Sequence, residues 1–79
     1  MVAPDDVKRY IAESLACQHV EVSGDGHHFE AVIVSEAFRG KSRVQQHQLV
    51  YRALGDRMRE EIHALSMQTL TPEDWAARS

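Results

Sequence analysis

The chain carries five histidines and a single cysteine. Imidazole ligates iron, zinc and copper, and it changes charge near neutral pH. His47 stands within Phe38-Arg-Gly-Lys-Ser-Arg-Val-Gln-Gln-His-Gln-Leu-Val-Tyr51, which reads as a basic, glycine-broken loop running into a helix. Ser42 can cap that helix. Val44, Val50, Tyr51 and Leu54 flank the histidine with apolar side chains, and Arg39, Lys41, Arg43 and Arg52 gather positive charge around it. A histidine on so rigid an element is suited to ligating a metal or meeting an anion. His27 and His28 follow a Gly24-Asp25-Gly26 turn signal, and His19 and His63 open strand-like segments. No two histidines have His-x-x-x-His spacing and there is no Cys-x-x-Cys pair, so a metal site must be assembled in space or shared with another protein. For His19, His27 and His63 the residue type alone favours an ordinary surface or core imidazole, whereas for His47 the two readings balance.

Nucleophilic catalysis finds little support. Ser23, Ser35 and Ser42 lack an elbow motif, and a serine or cysteine nucleophile needs a base oriented by a third group. Cys17 ends an amphipathic segment, where cysteine behaves as a small buried hydrophobe more often than as a reactive thiol. Glu60 and Glu61 are consecutive and so point to different sides of a helix. A binding protein is expected, not an enzyme.

Charge is distributed unevenly. Residues 37–59 hold six bases (Arg39, Lys41, Arg43, Arg52, Arg57, Arg59) and one acid, while the remainder holds three bases and eleven acids, for a net charge of −3. One face should be positive on an otherwise acidic body, attracting phosphate, an acidic partner or an anionic cofactor, unless it is simply a solvated helix face. Nucleic acid is the rival partner to a metal. Against it stand the absence of a Gly-x-x-Gly clamp around Gly40, the scarcity of stacking aromatics beyond Phe38 and Tyr51, and the overall acidity. Weak contact with DNA or RNA is all this composition supports.

At 79 residues the chain makes one domain, residues 1–79, near the lower size limit for a single core. A lone Cys17 excludes an internal disulfide and fits a reducing compartment. The start, Met-Val-Ala-Pro-Asp-Asp, lacks the marks of a signal or transit peptide, and no apolar run approaches the roughly 20 residues of a membrane span. A cytoplasmic protein with no membrane contact is expected, a monomer or weak homodimer alone.

The elements that must position these residues follow from periodicity. Asp5 or Asp6 can cap a first helix bearing Val7, Ile11 and Leu15, with Tyr10 widening the stripe, and the helix should end near Cys17-Gln18. His19 to Ser23 alternates as a half-buried strand, and a second strand begins at Phe29 and runs to Ser35. Phe29, Ala31 and Ile33 share one face of it, and Val32 and Val34 share the other, so its centre should be covered on both sides. A helical pattern from Ser42 should break near Leu54-Gly55, because an interior glycine costs about 1 kcal/mol relative to alanine. Ala64 to Leu70 reads as a third strand, paired parallel after its helical crossover. Thr71-Pro72-Glu73-Asp74 starts a last helix anchored by Trp75. The order α-β-β-α-α-β-α is an α+β fold, a three-stranded mixed sheet packed with helices.

Three long stretches resemble the BolA family, in its short bacterial, IbaG-like subgroup: Val-Glu-Val-Ser-Gly-Asp-Gly-His-His-Phe (Val20 to Phe29), the run from Val34 to Tyr51, and the ending from Ile62 to Trp75. The resemblance implies the αββααβα fold of class II KH topology. It also implies partnership with a monothiol glutaredoxin through a bridging [2Fe-2S] cluster, with thiolates from the glutaredoxin and glutathione and an imidazole from the BolA-like chain. The family's helix histidine maps onto His47. A second ligand from the loop between the first two strands maps onto His28 or His27, and another common histidine maps onto His63. One nitrogen ligand among thiolates alters cluster charge and potential. The Arg39–Arg43 loop is then a contact for the partner or for glutathione carboxylate. No cluster is expected on the isolated chain. The family resemblance also implies links to transcription regulation and stress response, which makes a KH-like nucleic-acid binder acting through residues 37–59 the alternative.

Overall fold

A computed structural model describes residues 2–78. Helix α1 (Pro4–Ser14) starts earlier than the aspartates suggested. Pro4 takes the first helical position, and Asp6 reaches back to accept the Ala3 N–H at 3.0 Å instead of being the cap residue itself. The helix stops before Cys17 because Leu15 turns extended, at φ −139° and ψ 127°. Val7 and Ile11 are buried, while Leu15 and Cys17 pack against the core from beyond the helix end.

Strands β1 (His19–Gly24) and β2 (His28–Val34) pair antiparallel, and β3 (Ala64–Leu70) pairs parallel to β2, giving the order β1-β2-β3. The register places Val20, Ile33 and Thr69 abreast, then Val22, Ala31 and Met67, on the face that α1 and the following helices cover. Phe29, Ala31 and Ile33 are buried there, as alternation predicts.

A short 3-10 turn, Glu36–Phe38, was not legible in the sequence. Buried Ser35 caps it, accepting the Ala37 N–H and donating to the Ala16 carbonyl at 2.6 Å, and the turn drives Phe38 into the core. Helix α2 (Arg43–Leu54) begins with a reciprocal cap: Ser42 Oγ accepts the Gln45 N–H and Gln45 Oε1 accepts the Ser42 N–H. Gly55, at φ 58°, closes it in a conformation that favours glycine, and α3 (Arg57–Glu60) follows as a single turn.

Helix α4 (Pro72–Ala77) is capped by Thr71 and reaches the outer face of the sheet, where Trp75 stacks on His19 with ring centroids 4.6 Å apart. Val34 on that face is fully buried, whereas Val32 is only half-buried. The result is the α+β order that periodicity predicted, a mixed three-stranded sheet with four helices. Among the described residues no helix is long and apolar enough to cross a membrane.

Candidate functional site

The loop between β1 and β2 is built around Asp25. Its Oδ1 accepts the backbone N–H groups of His27 and His28, both at 2.9 Å. These two amides, His28 first, hold the Asp25 carboxyl below its ordinary value of 3.8, because they stabilise the charged form. The turn they make presents His27 outward. The Ala64 N–H, at the start of β3, donates to the His27 carbonyl at 3.2 Å, so the loop is tied to the chain that follows α3. That chain carries His63 between buried Ile62 and the strand. The two imidazoles consequently meet at the sheet's end, with centroids 5.4 Å apart and planes tilted by 34°.

Both rings border a hollow of about 410 Å3 whose walls also include Tyr10, Asp6, Glu60 and Glu61. The Tyr10 hydroxyl donates to Glu61 Oε1 at 3.1 Å, and the Arg57 guanidinium lies 4.1 Å from the Tyr10 ring centre. These contacts fasten α1 to the stretch leading into His63.

His28 and His47 lie elsewhere. His28 is turned onto the outer sheet face, its Nε2 hydrogen-bonded with Ser66 Oγ at 3.2 Å. His47, half-buried on α2, follows Gln46, whose Oε1 accepts the Thr69 hydroxyl at 2.6 Å and whose Nε2 donates to the Phe38 and Lys41 carbonyls. Thr69 lies five residues beyond Ala64, about 16 Å at roughly 3.3 Å per strand residue. His47 is therefore at the opposite end of the sheet from His27 and His63. The expected pairing of His47 with a loop histidine is not one the fold brings together; the pair it does bring together is His27 with His63. Sequence spacing hid this pair, because the two residues are joined only through the parallel β2–β3 register. The Asp-x-His pattern after Gly24 could have announced the Asp25 turn.

Among the described residues, no group of three or more His, Cys, Asp and Glu side chains is arranged to hold a metal ion. The two imidazoles can supply at most two of the ligands a metal ion takes. Cys17 is half-buried, burial pushes its thiol up, and its S–H donates to the Leu15 carbonyl.

The expected basic face divides. Arg39 is engaged: its Nε donates to Glu36 Oε2 and its Nη2 to Glu73 Oε1, both at 2.9 Å, and its Nη1 also bonds Glu73. It fastens α4 to the loop before α2. Lys41, Arg43 and Arg52 are exposed and take part in no salt bridge among the described residues.

Residues 11–74 match the family model described as BolA-like protein. The acid stress protein IbaG of Escherichia coli K12 is 40% identical over 73 residues, spanning 91% of this chain and 87% of that protein. The DNA-binding transcriptional regulator BolA of Haemophilus influenzae is 39% identical over 61 residues, spanning 77% of this chain and 59% of that one. In three dimensions the chain is similar to a BolA protein homologue from Coxiella burnetii, with a TM-score of 0.90 and 44% identity over 96% of this chain and 99% of that one. An α-β-β-α-α-β-α chain with this sheet order, matched along most of its length by sequence and by structure, belongs to the BolA-like family.

Proposed function

We propose that this protein is a non-catalytic adaptor in iron–sulfur cluster handling or iron sensing, acting with a monothiol glutaredoxin. The observation that carries this reading is the His27–His63 pair, two imidazoles held 5.4 Å apart at one edge of a small rigid sheet. Both residues are exposed, so their nitrogens are open to a second protein. A [2Fe-2S] cluster shared across such an edge would take its thiolates from the glutaredoxin and glutathione and a nitrogen ligand from this chain. The chain's own work is positional. Asp25 fixes the His27 turn, the Ala64 N–H ties that turn to β3, and the Tyr10–Glu61 bond steadies the approach to His63. Imidazole in place of thiolate makes the shared cluster less negative and raises its potential, which suits transfer or sensing.

The test reconstitutes the full-length protein with a monothiol glutaredoxin, iron, sulfide and glutathione, and records visible absorption and circular dichroism. A spectrum distinct from that of the glutaredoxin alone, changed by His63→Ala or His27→Ala and unchanged by His47→Ala, is the expected result. A spectrum that stays that of the glutaredoxin alone refutes the adaptor reading. Sensitivity to His47→Ala alone would move the ligand to α2.

A second reading has its own support: a relative is a DNA-binding transcriptional regulator, and Lys41, Arg43 and Arg52 are exposed and take part in no salt bridge among the described residues. It predicts DNA binding that falls steeply with salt and is lost in Arg43→Glu/Arg52→Glu.

A further inference from the structure

The most exposed large apolar side chains of the described residues are Val44, at 67%, and Tyr51, at 41%. Both belong to α2, seven residues apart. At about 100° per residue, Tyr51 falls roughly 20° from Val44, so the two form one stripe spanning about 10 Å along the helix axis. On the same geometry Arg43 lies about 100° to one side of Val44 and Arg52 about 80° to the other. Residues 37–55 contain no acid, so the stripe has a basic border with no internal counter-charge. On that geometry Gln46, Val50 and Leu54 fall about 160°, 120° and 80° from Val44 on the Arg43 side, and they hold that side of α2 against the body. An exposed apolar pair beside cations that take part in no salt bridge among the described residues complements a surface that is both apolar and acidic.

We infer that the outward face of α2, centred on Val44 and Tyr51 and bordered by Arg43 and Arg52, docks an acidic protein segment that carries apolar side chains. The aliphatic Val44 at the centre favours protein over nucleic acid, which would exploit Tyr51 but gain nothing from a valine. Charge complementarity sets the sign of the partner: Lys41, Arg43 and Arg52, exposed and without a salt bridge among the described residues, call for carboxylates. The inference stands whether or not a cluster is bound.

The test titrates the 15N-labelled full chain with three probes: a 14-residue peptide with leucine at one i, i+4, i+7 stripe and glutamate elsewhere, the same peptide with serine for leucine, and a ten-residue oligothymidine. The leucine peptide is expected to shift the amide signals of Val44, Gln48, Tyr51 and Arg52 and to leave those of His27 and His63 in place. Val44→Ser/Tyr51→Ser and Arg43→Glu/Arg52→Glu should each weaken it about tenfold. All four side chains are exposed, so an otherwise unchanged spectrum verifies the fold. No binding, equal binding of the serine peptide, shifts outside α2, or tighter binding of oligothymidine on α2 would each overturn the inference.

Discussion

Ser35→Ala is the sharpest probe of how the elements are joined. Ser35 has 0% exposure, and its hydroxyl does two things at once: it donates to the Ala16 carbonyl at 2.6 Å and accepts the Ala37 N–H at 3.1 Å. One atom thereby links the α1–β1 connection, the end of β2 and the 3-10 turn that buries Phe38. A hydrogen bond contributes about 1 kcal/mol net, and a stranded buried partner costs up to roughly 3 kcal/mol. Ala16 and Ala37 are themselves exposed, so water can reach part of what is left unpaired. The sum is therefore about 2 kcal/mol, not the 4–6 kcal/mol that two fully buried orphans would bring. With a urea dependence of about 1 kcal/mol per molar for a domain of this size, the midpoint should fall by about 2 M. Urea unfolding followed by Trp75 fluorescence and far-ultraviolet circular dichroism measures it, and agreement of the two signals checks for a single transition. Ser42→Ala is the comparison. It removes an exposed helix cap and should cost about 1 kcal/mol. A Ser35→Ala midpoint no lower than that of Ser42→Ala would refute the argument from burial.

Three other perturbations address the site. Asp25 has a folded pKa lowered by the His28 and His27 amides, so its hold on the turn is complete above 3.8 and is lost as pH falls through the lower folded value; the two amide signals should titrate together there, and titration at or above 3.8 would contradict it. In Gly24→Ala the new Cβ would lie 2.4 Å from the His28 carbonyl and 2.8 Å from Phe29 Cδ1, so the hairpin must shift. Calorimetry should show a loss of roughly 2 kcal/mol or more, and the His27–His63 ring contact should weaken in NMR ring-current shifts. Arg39→Ala releases α4 from the pre-α2 loop; since Arg39 is 51% exposed the cost should be about 1 kcal/mol or less, and it should shrink in 1 M salt. A salt-independent loss would mean that Arg39 acts by packing instead of charge.

Local rules along the chain settle the element order and most of the boundaries. Ser42, Gly55, Thr71-Pro72 and the alternation of Phe29, Ala31 and Ile33 act through local geometry, so caps, breaks and faces could be named before any tertiary contact was known. Where local rules offered two choices the fold picked one, starting α1 at Pro4 and assigning Asp6 to the third position. The 3-10 turn at Glu36–Phe38 escaped notice because its cap, Ser35, is secured by a carbonyl 19 residues earlier. The histidines mark the sharpest division. Their types announced metal or anion chemistry, and the glycine turn before His27 was plain. Which of them meet was decided by the parallel pairing of β2 with β3, which brings residue 27 beside residue 63, and by the Gln46–Thr69 bond, which keeps His47 at the far end. Arg39 was equally ambiguous: the sequence shows a cation in a loop, and only the return of α4 supplies the Glu73 that occupies it. Caps and alternation are set by neighbours along the chain, whereas a site is set by register across strands, and register is a property of the folded sheet.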